Sequence, residues 1–217
     1  DDTMEDLKRK GRIAAVLGTL QSTLVDFKYL NPKWAENTAE ERLLGVSMTG
    51  IMDNPHLNKP SIFLSQWLEE LKDNVIETNE VWADRLGIPR SAATTCVKPS
   101  GTVSQLVLSS SGIHPSYSEY YVRTVRIDKK DPMLAFLKAE GVYAEDDLTN
   151  AEGAVLSFPI IAPDGAVVRD EVTAIEQLEL WKVYAEHWCE HKPSITVYVR
   201  EDEWLEVGGW VYQNFDI

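Results

Sequence analysis

Two short apolar runs, Leu43-Leu44-Gly45-Val46-Ser47-Met48-Thr49 and Ala92 to Val97, flank a long amphipathic phrase, and this arrangement constrains the fold more than any other feature. A strand that is apolar along its length is covered on both faces, which in a helix-connected sheet means parallel pairing through right-handed crossovers. The connecting phrase carries Ile62, Phe63, Trp67, Leu68, Leu71, Val75 and Trp82 at helical spacing. Pro60 suits its first helical position and Leu86-Gly87 its end. An N-terminal helix is predicted behind the capping box Thr3-x-x-Asp6, with Leu7, Ile13, Ala14, Leu17, Leu20 and Leu24 on its apolar face. A short helix begins near Thr102, and another runs from Pro132 to Glu140 and stops at Gly141. A third begins at Thr173 and carries Ile175, Leu178, Leu180, Trp181, Tyr184, Ala185 and Trp188. Ala154 to Ile160 and Ser194 to Val199 are β-rich, and Glu203 to Ile217 is helix-like. The pattern predicts an α/β fold with parallel strands over 43–49, 92–97, 154–160 and 194–199 in one wall, either an open sheet or a barrel.

A chain of 217 residues with 44% hydrophobic content buries a core sufficient for one domain or a large part of one. Its apolar runs all fall short of the roughly 20 residues a membrane span needs, and DDTMEDLKRK lacks the pattern of a secretory signal. A cytoplasmic protein with no membrane partner is the expectation. The 35 acidic and 21 basic residues give a net charge of -14, which opposes broad adhesion to duplex nucleic acid while permitting a local site for a small anion. Two cysteines, Cys96 and Cys189, are too few for a disulfide framework. The chain starts without Met and its last helical phrase has no capping residue, so residues 1–217 are read as a single segment of a longer protein, truncated at both ends.

The stretch TTCVKPSGTVSQL, residues 94 to 106, sets a small hydroxyl-rich turn between a strand and a helix. Amides that open a helix have no intrahelical acceptor and present their positive ends to whatever lies in front. Gly101 admits an anion close to the backbone, and the hydroxyls of Ser100, Thr102 and Ser104 add donors, so Pro99-Ser100-Gly101-Thr102-Val103-Ser104 forms a candidate phosphate cradle. An ordinary turn with a Ser or Thr cap has the same composition. The spacing matches neither the Walker A loop nor the dinucleotide-binding glycine turn.

The run TTCVKPSGTVSQLVLSSSGIHPSYSEYYVRTVRIDKKDP, together with LGTLQSTLVDFKYL, EERLLGVSMTGIMD and EHKPSITVYV, resembles the adenosylcobalamin-dependent (class II) ribonucleoside-triphosphate reductases. The resemblance extends through essentially the whole chain and rests on several separated phrases in the same order. It implies the later part of a ten-stranded α/β barrel, in which the turn matching Pro99 to Ser104 holds the phosphates of a ribonucleoside triphosphate. It also implies thiyl-radical chemistry initiated by adenosylcobalamin in the full-length enzyme, with a thioredoxin-like or dithiol reductant. The radical cysteine of that family sits in a phrase like N-x-C-x-E, which this chain does not contain. On this reading the segment supplies part of the substrate site without the radical machinery, and has no catalytic residue of its own.

Other residues weigh less. Cys96, in a strand, reads as a buried small thiol rather than a redox group. His187 and His191 flank Cys189 four residues apart, without the H-E-x-x-H order, and read as histidines at a solvated helix end rather than metal ligands. His114, with Tyr117, Tyr120 and Tyr121, follows the cradle helix and is a candidate for the substrate pocket, a packed loop being the alternative. Arg123 and Arg126 read as surface ion-pairing residues, and the seven Trp residues mostly as core. Two other functions fit the same residues: a phosphate-ligand binding module without catalysis, and a different α/β barrel enzyme with an anion site at a helix start.

Overall fold

The computed structural model describes residues 2–217. Helix α1, Met4–Gln21, opens with the expected capping box: Asp6 N–H donates to the Thr3 hydroxyl while the Asp6 carboxylate accepts from the Thr3 amide. Helix α2, Pro32–Glu41, is an element the pattern reading passed over. Its sequence PKWAENTAEE buries no residue, so it carries none of the apolar periodicity by which helices are found; Asn31 caps it, with Pro32 at its first position. Helix α3, Ile62–Leu86, is the long crossover helix. Its cap is the Ser61 hydroxyl, which accepts from Leu64 N–H at 3.0 Å, so Pro60 lies outside the helix rather than at its first position. Gly87 closes it in the left-handed conformation (φ 66°).

The crossover joins two parallel strands, as the apolar runs required. Strand β1, Val46–Ser47, pairs with β2, Thr95–Cys96, in the register Val46 to Thr95 and Ser47 to Cys96. Both are shorter than the runs containing them, although Leu44 N–H also donates to Ala93 O (2.9 Å) and Val46 N–H to Thr94 O (2.9 Å). Helix α4, Val103–Leu106, follows β2 and its turn.

The remaining strands depart from the expected wall. Strands β3 (Tyr120–Asp128), β4 (Tyr143–Asp146) and β5 (Gly153–Ile161) form a separate antiparallel sheet in the order β3-β5-β4. The predicted strand 154–160 therefore exists but is neither parallel nor in the sheet of β1 and β2. Its two neighbours reach it without a returning crossover between β4 and β5, and only one of its faces is fully covered: Ala154 and Leu156 pack with Leu134 of helix α5, Pro132–Ala139. Residues 194–199 form no strand. One ladder bond survives, Ser194 N–H to Val97 O at 3.0 Å, with Glu190 N–H to Thr95 O at 3.0 Å before it. Pro193 lies between them and has no N–H to give.

Helix α6, Ala174–His187, begins at the Thr173 cap as predicted, and α7 is Trp204–Gln213. The main core lies between α1, α3, α6 and the β1–β2 pair, through Ala15, Leu64, Leu68, Val75, Val97 and Tyr184. Trp188 and Trp181 are buried with their indole N–H groups satisfied by Cys96 O and Pro193 O, both at 2.9 Å, as a buried indole requires. Trp34 and Trp204, by contrast, are exposed, against the expectation of core.

Candidate functional site

The turn between β2 and α4 is built by consuming most of its own polar groups. Gly101 N–H donates to Pro99 O (3.0 Å) and Ser104 N–H to Ser100 O (3.0 Å). The Ser104 hydroxyl, fully buried, donates to Ser100 O and accepts from the Gln105 side-chain amide at 3.2 Å. The Ser100 hydroxyl lies 2.7 Å from Thr49 Oγ1 at the end of β1. Two of the three hydroxyls of the cradle are therefore committed inward.

What remains outward-facing is specific. Thr102 is exposed and its hydroxyl makes no capping bond. The amides of Thr102 and Val103 have no backbone acceptor among the described residues. Gly101 leaves the backbone bare at this point: a Cβ built there would meet no heavy atom within 4 Å, and its φ is not left-handed. The glycine serves open approach, not a strained turn. Helix α4 has four residues, too few for a sizeable macrodipole, so an anion here is met by individual amides rather than by the field of a long helix.

Behind the turn, residues 49–54 and 109–112 are stitched together. Ser110 N–H donates to the Asp53 carboxylate (2.6 Å), Gly50 N–H to Ser110 O (2.8 Å) and Gly112 N–H to Thr49 Oγ1 (3.3 Å). Gly112 (φ 55°) is obligatory: a Cβ would lie 2.7 Å from Lys98 O, at the strand end just before Pro99. Leu108 is held at φ 52° without being glycine, a strained conformation at the exit of α4. This clamp escaped the sequence reading, because its signals, Gly112 and the hydroxyl of Thr49, have no meaning until the two loops meet.

A cavity of about 560 Å³ opens beside this clamp, lined in part by Lys10, Met48, Thr49, Asp53 and Ser109. Asp53 Oδ1 and Ser109 Oγ are buried without partners. None of Pro99 to Ser104 lines it, although Thr49 does.

His114 borders a cavity of about 170 Å³, with both of its ring nitrogens engaged. Its Nδ1 lies 2.8 Å from Ser111 O and its Nε2 accepts from Thr196 N–H at 3.0 Å, so both ring nitrogens pin the loop to residues 194–199. Tyr117 and Tyr121 line the same cavity together with Arg123, whereas Tyr120 is exposed. Arg126 pairs with Asp147 (3.1 Å), as expected of a surface cation; Arg123, three residues earlier and so on the other face of the strand, has no such partner among the described residues.

The two cysteines are free thiols. Burial pushes the Cys189 thiol up to about 12, with Cys96 nearby adding to the effect. Burial also raises Cys96, against a bond to Ser47 and the charge of Lys98. Neither is a thiolate at neutral pH. His187 pairs with Glu69 (2.8 Å), and no group of three or more metal-ligating side chains occurs among the described residues. No helix among them is long and apolar enough to cross a membrane.

No protein-family model matches the chain. Among curated proteins, it is 33% identical over 163 residues to a probable adenosylcobalamin-dependent ribonucleoside-triphosphate reductase of Dictyostelium discoideum, covering 72% of this chain and 20% of that protein. It is 30% identical over 210 residues to the adenosylcobalamin-dependent enzyme of Euglena gracilis (90% and 26%). It is 29% identical over 204 residues to that of Lacticaseibacillus paracasei (80% and 27%). The chain thus spans about a fifth to a quarter of the length of these relatives. Its fold is similar to that of a B12-dependent (class II) ribonucleotide reductase, with a TM-score of 0.78 at 23% identity, over 96% of this chain and 32% of that one. By sequence across most of its length, with a matching fold, this chain belongs to the family of adenosylcobalamin-dependent ribonucleoside-triphosphate reductases.

Proposed function

We propose that this chain is the later part of the catalytic barrel of a ribonucleoside-triphosphate reductase, and that the turn Pro99 to Ser104 holds the phosphates of the ribonucleotide. The parallel β1–β2 pair and its crossover helix α3 are on this reading two neighbouring staves of the ten-stranded barrel. One observation carries the phosphate assignment. The Thr102 and Val103 amides and the Thr102 hydroxyl are left without partners on the exposed side of a glycine, beside a Ser100 amide that is also unpaired. Idle donors clustered where the backbone is bare are what an anionic ligand uses.

The division of labour follows from the hydrogen bonds. Thr102 and the two amides contact phosphate oxygen; Ser100, through Thr49, and Ser104, through its own bonds, hold the turn in shape. Val103 contributes its amide, and its exposed side chain is incidental. His114 positions the loop that follows and does not touch substrate.

Adenosylcobalamin, required by the relatives as named, supplies radical initiation when bound to the whole protein. The cavities of about 560 Å³ beside Asp53 and about 600 Å³ beside Trp181 and Trp210 do not make a seat for it: each is of the size of a drug-like ligand and too small for a corrin with its axial groups. No step assigned to this chain runs through the cofactor. The radical cysteine and the reductant, a thioredoxin-like protein or a dithiol, belong to the rest of the machine, and two neutral free thiols, one buried and one half-buried, suit the reducing cytoplasm.

The test is reduction of each ribonucleoside triphosphate and diphosphate by the full-length protein, with and without adenosylcobalamin and a dithiol. Turnover of triphosphates that requires the cofactor is expected. Nucleotide binding without turnover would replace the reading with a phosphate-ligand module, and turnover of an unrelated phosphorylated substrate with another barrel enzyme.

A further inference from the structure

The 170 Å³ cavity behind the turn has no role in the reading above, and none of Pro99 to Ser104 lines it. Its polar lining is unusual in being unspent. Arg123 Nε is buried with no hydrogen-bond partner, and Ser109 Oγ and Ser110 Oγ are likewise buried and unpartnered. All three residues line this one cavity. Leaving buried polar atoms unpaired costs free energy, so three of them on residues that border one space, Ser109 bordering the 560 Å³ cavity as well, call for a ligand that pairs them.

The chemistry of the lining selects that ligand. No carboxylate lines the cavity, in a chain with 35 acidic residues against 21 basic, where an arginine ordinarily finds an acidic partner. A cation is therefore excluded from the cavity and an anion favoured. Ser110 is held from both sides, its N–H donating to Asp53 and its carbonyl accepting from Gly50 and Thr49, so only its hydroxyl is left to turn toward a ligand. Tyr117 and Tyr121, with ring centroids 6.1 Å apart, wall the space, and Arg169, itself ion-paired to Asp170 (3.2 Å), stacks 4.1 Å over Tyr117. A volume of 170 Å³ holds about six waters at ~30 Å³ each, enough for one compact oxyanion and its first linkage but not for a nucleotide.

The geometry points to a second anion site, centred on Arg123 and completed by the hydroxyls of Ser109 and Ser110, that takes a phosphate group. The guanidinium supplies Nε–H and a neighbouring N–H in a fixed fork, and the two hydroxyls supply the remaining donors to a tetrahedral oxyanion. Strand β3 places Arg123 toward the cavity and Arg126 toward Asp147, which explains why the two arginines differ in pairing. The site stands apart from the nucleotide reading and survives its failure.

The Nε–H resonance of Arg123, in full-length protein labelled with ¹⁵N-arginine and assigned by its loss in Arg123→Lys, reads the site directly. Inorganic phosphate and phenyl phosphate are titrated in parallel, to separate a bare ion from the phosphate of a larger molecule, with chloride at equal ionic strength as control. A saturable shift with either phosphate, unchanged in Gly101→Val protein where the turn is blocked, is expected. Ser110→Ala should weaken that binding roughly ten- to hundredfold while the resonance remains observable. A resonance that moves only as it does with chloride, or one whose phosphate response disappears in folded Gly101→Val, overturns the proposal.

Discussion

Thr49 Oγ1 lies 2.7 Å from Ser100 Oγ, joining the end of one parallel strand to the turn that leaves the next. The same oxygen accepts from Gly112 N–H and lies 2.8 Å from the carbonyl of Ser110. A hydroxyl has one proton, and the carbonyl can only accept it, so Thr49 donates to Ser110 and Ser100 donates to Thr49. Replacing Thr49 by Val keeps the shape and leaves three groups short of a partner. A loss of about 1–3 kcal/mol in unfolding free energy is expected from urea titration. In a double-mutant cycle Thr49→Val should couple to Ser100→Ala and add independently to Thr102→Ala.

The hydroxyls of the cradle should separate by function. Thr102→Ala removes a bond to a charged group, so kcat/KM for the nucleotide is expected to fall roughly ten- to hundredfold with stability unchanged. Ser104→Ala should do the reverse, lowering stability because its hydroxyl ties down Ser100 O. Steady-state kinetics alongside thermal unfolding of both variants distinguish the two; equal kinetic losses would show that Ser104 also reaches the ligand.

Two glycines, Gly101 and Gly112, should respond oppositely. Gly101→Val has free space and an ordinary φ, so the protein should fold with native circular dichroism while nucleotide affinity by calorimetry collapses. Gly112→Ala places a methyl 2.7 Å from Lys98 O in a left-handed turn and should destabilise the fold itself. Unchanged affinity in folded Gly101→Val would reduce the turn to a helix cap.

Cys189 sets a limit at alkaline pH. Burial holds its proton up to about 12 in the fold, against an ordinary value of 9.0, so this contribution to stability is complete below about 9 and is lost as the pH rises toward 12. Denaturant midpoints measured across that window should fall less for Cys189→Ala than for the parent. Alkylation of Cys189 at pH 8 should be slow in native protein and fast once unfolded.

The strands and helices legible in the sequence were those with an unambiguous apolar period. Helices α3 and α6 each bury a continuous face, and β1 and β2 alternate a buried with a half-buried residue and pair in parallel as expected; α1 was found by its capping box, but it buries Ala15 and Thr19 and leaves the predicted Ile13, Leu17 and Leu20 exposed, as Leu24 beyond its end also is. Strand β5 was found but misdirected, because Ala154-Val155-Leu156 reads the same in a parallel stave as in an antiparallel sheet half covered by α5. Residues 194–199 have the composition of a strand, yet one ladder bond forms next to Pro193, to Val97, and Thr196 N–H turns to the His114 ring instead. Of the site, the turn was legible in its composition. Which hydroxyls face out was not, because Thr49 is fifty-one residues from Ser100 and only the fold brings them together.

The antiparallel sheet and α5 leave the main body and return to it at adjacent points, since Ala162 N–H donates to Glu119 O at 2.8 Å where the excursion closes. Its small apolar cluster, around Leu134, Ala154 and Leu156, is separate from the core of α1, α3 and α6. An appendage whose two ends meet at one doorway can be lengthened, trimmed or exchanged without moving either strand of the parallel pair. Relatives are therefore free to differ most between residues 120 and 161, and that stretch should open to hydrogen exchange as a unit of its own while the amides of α3 stay closed.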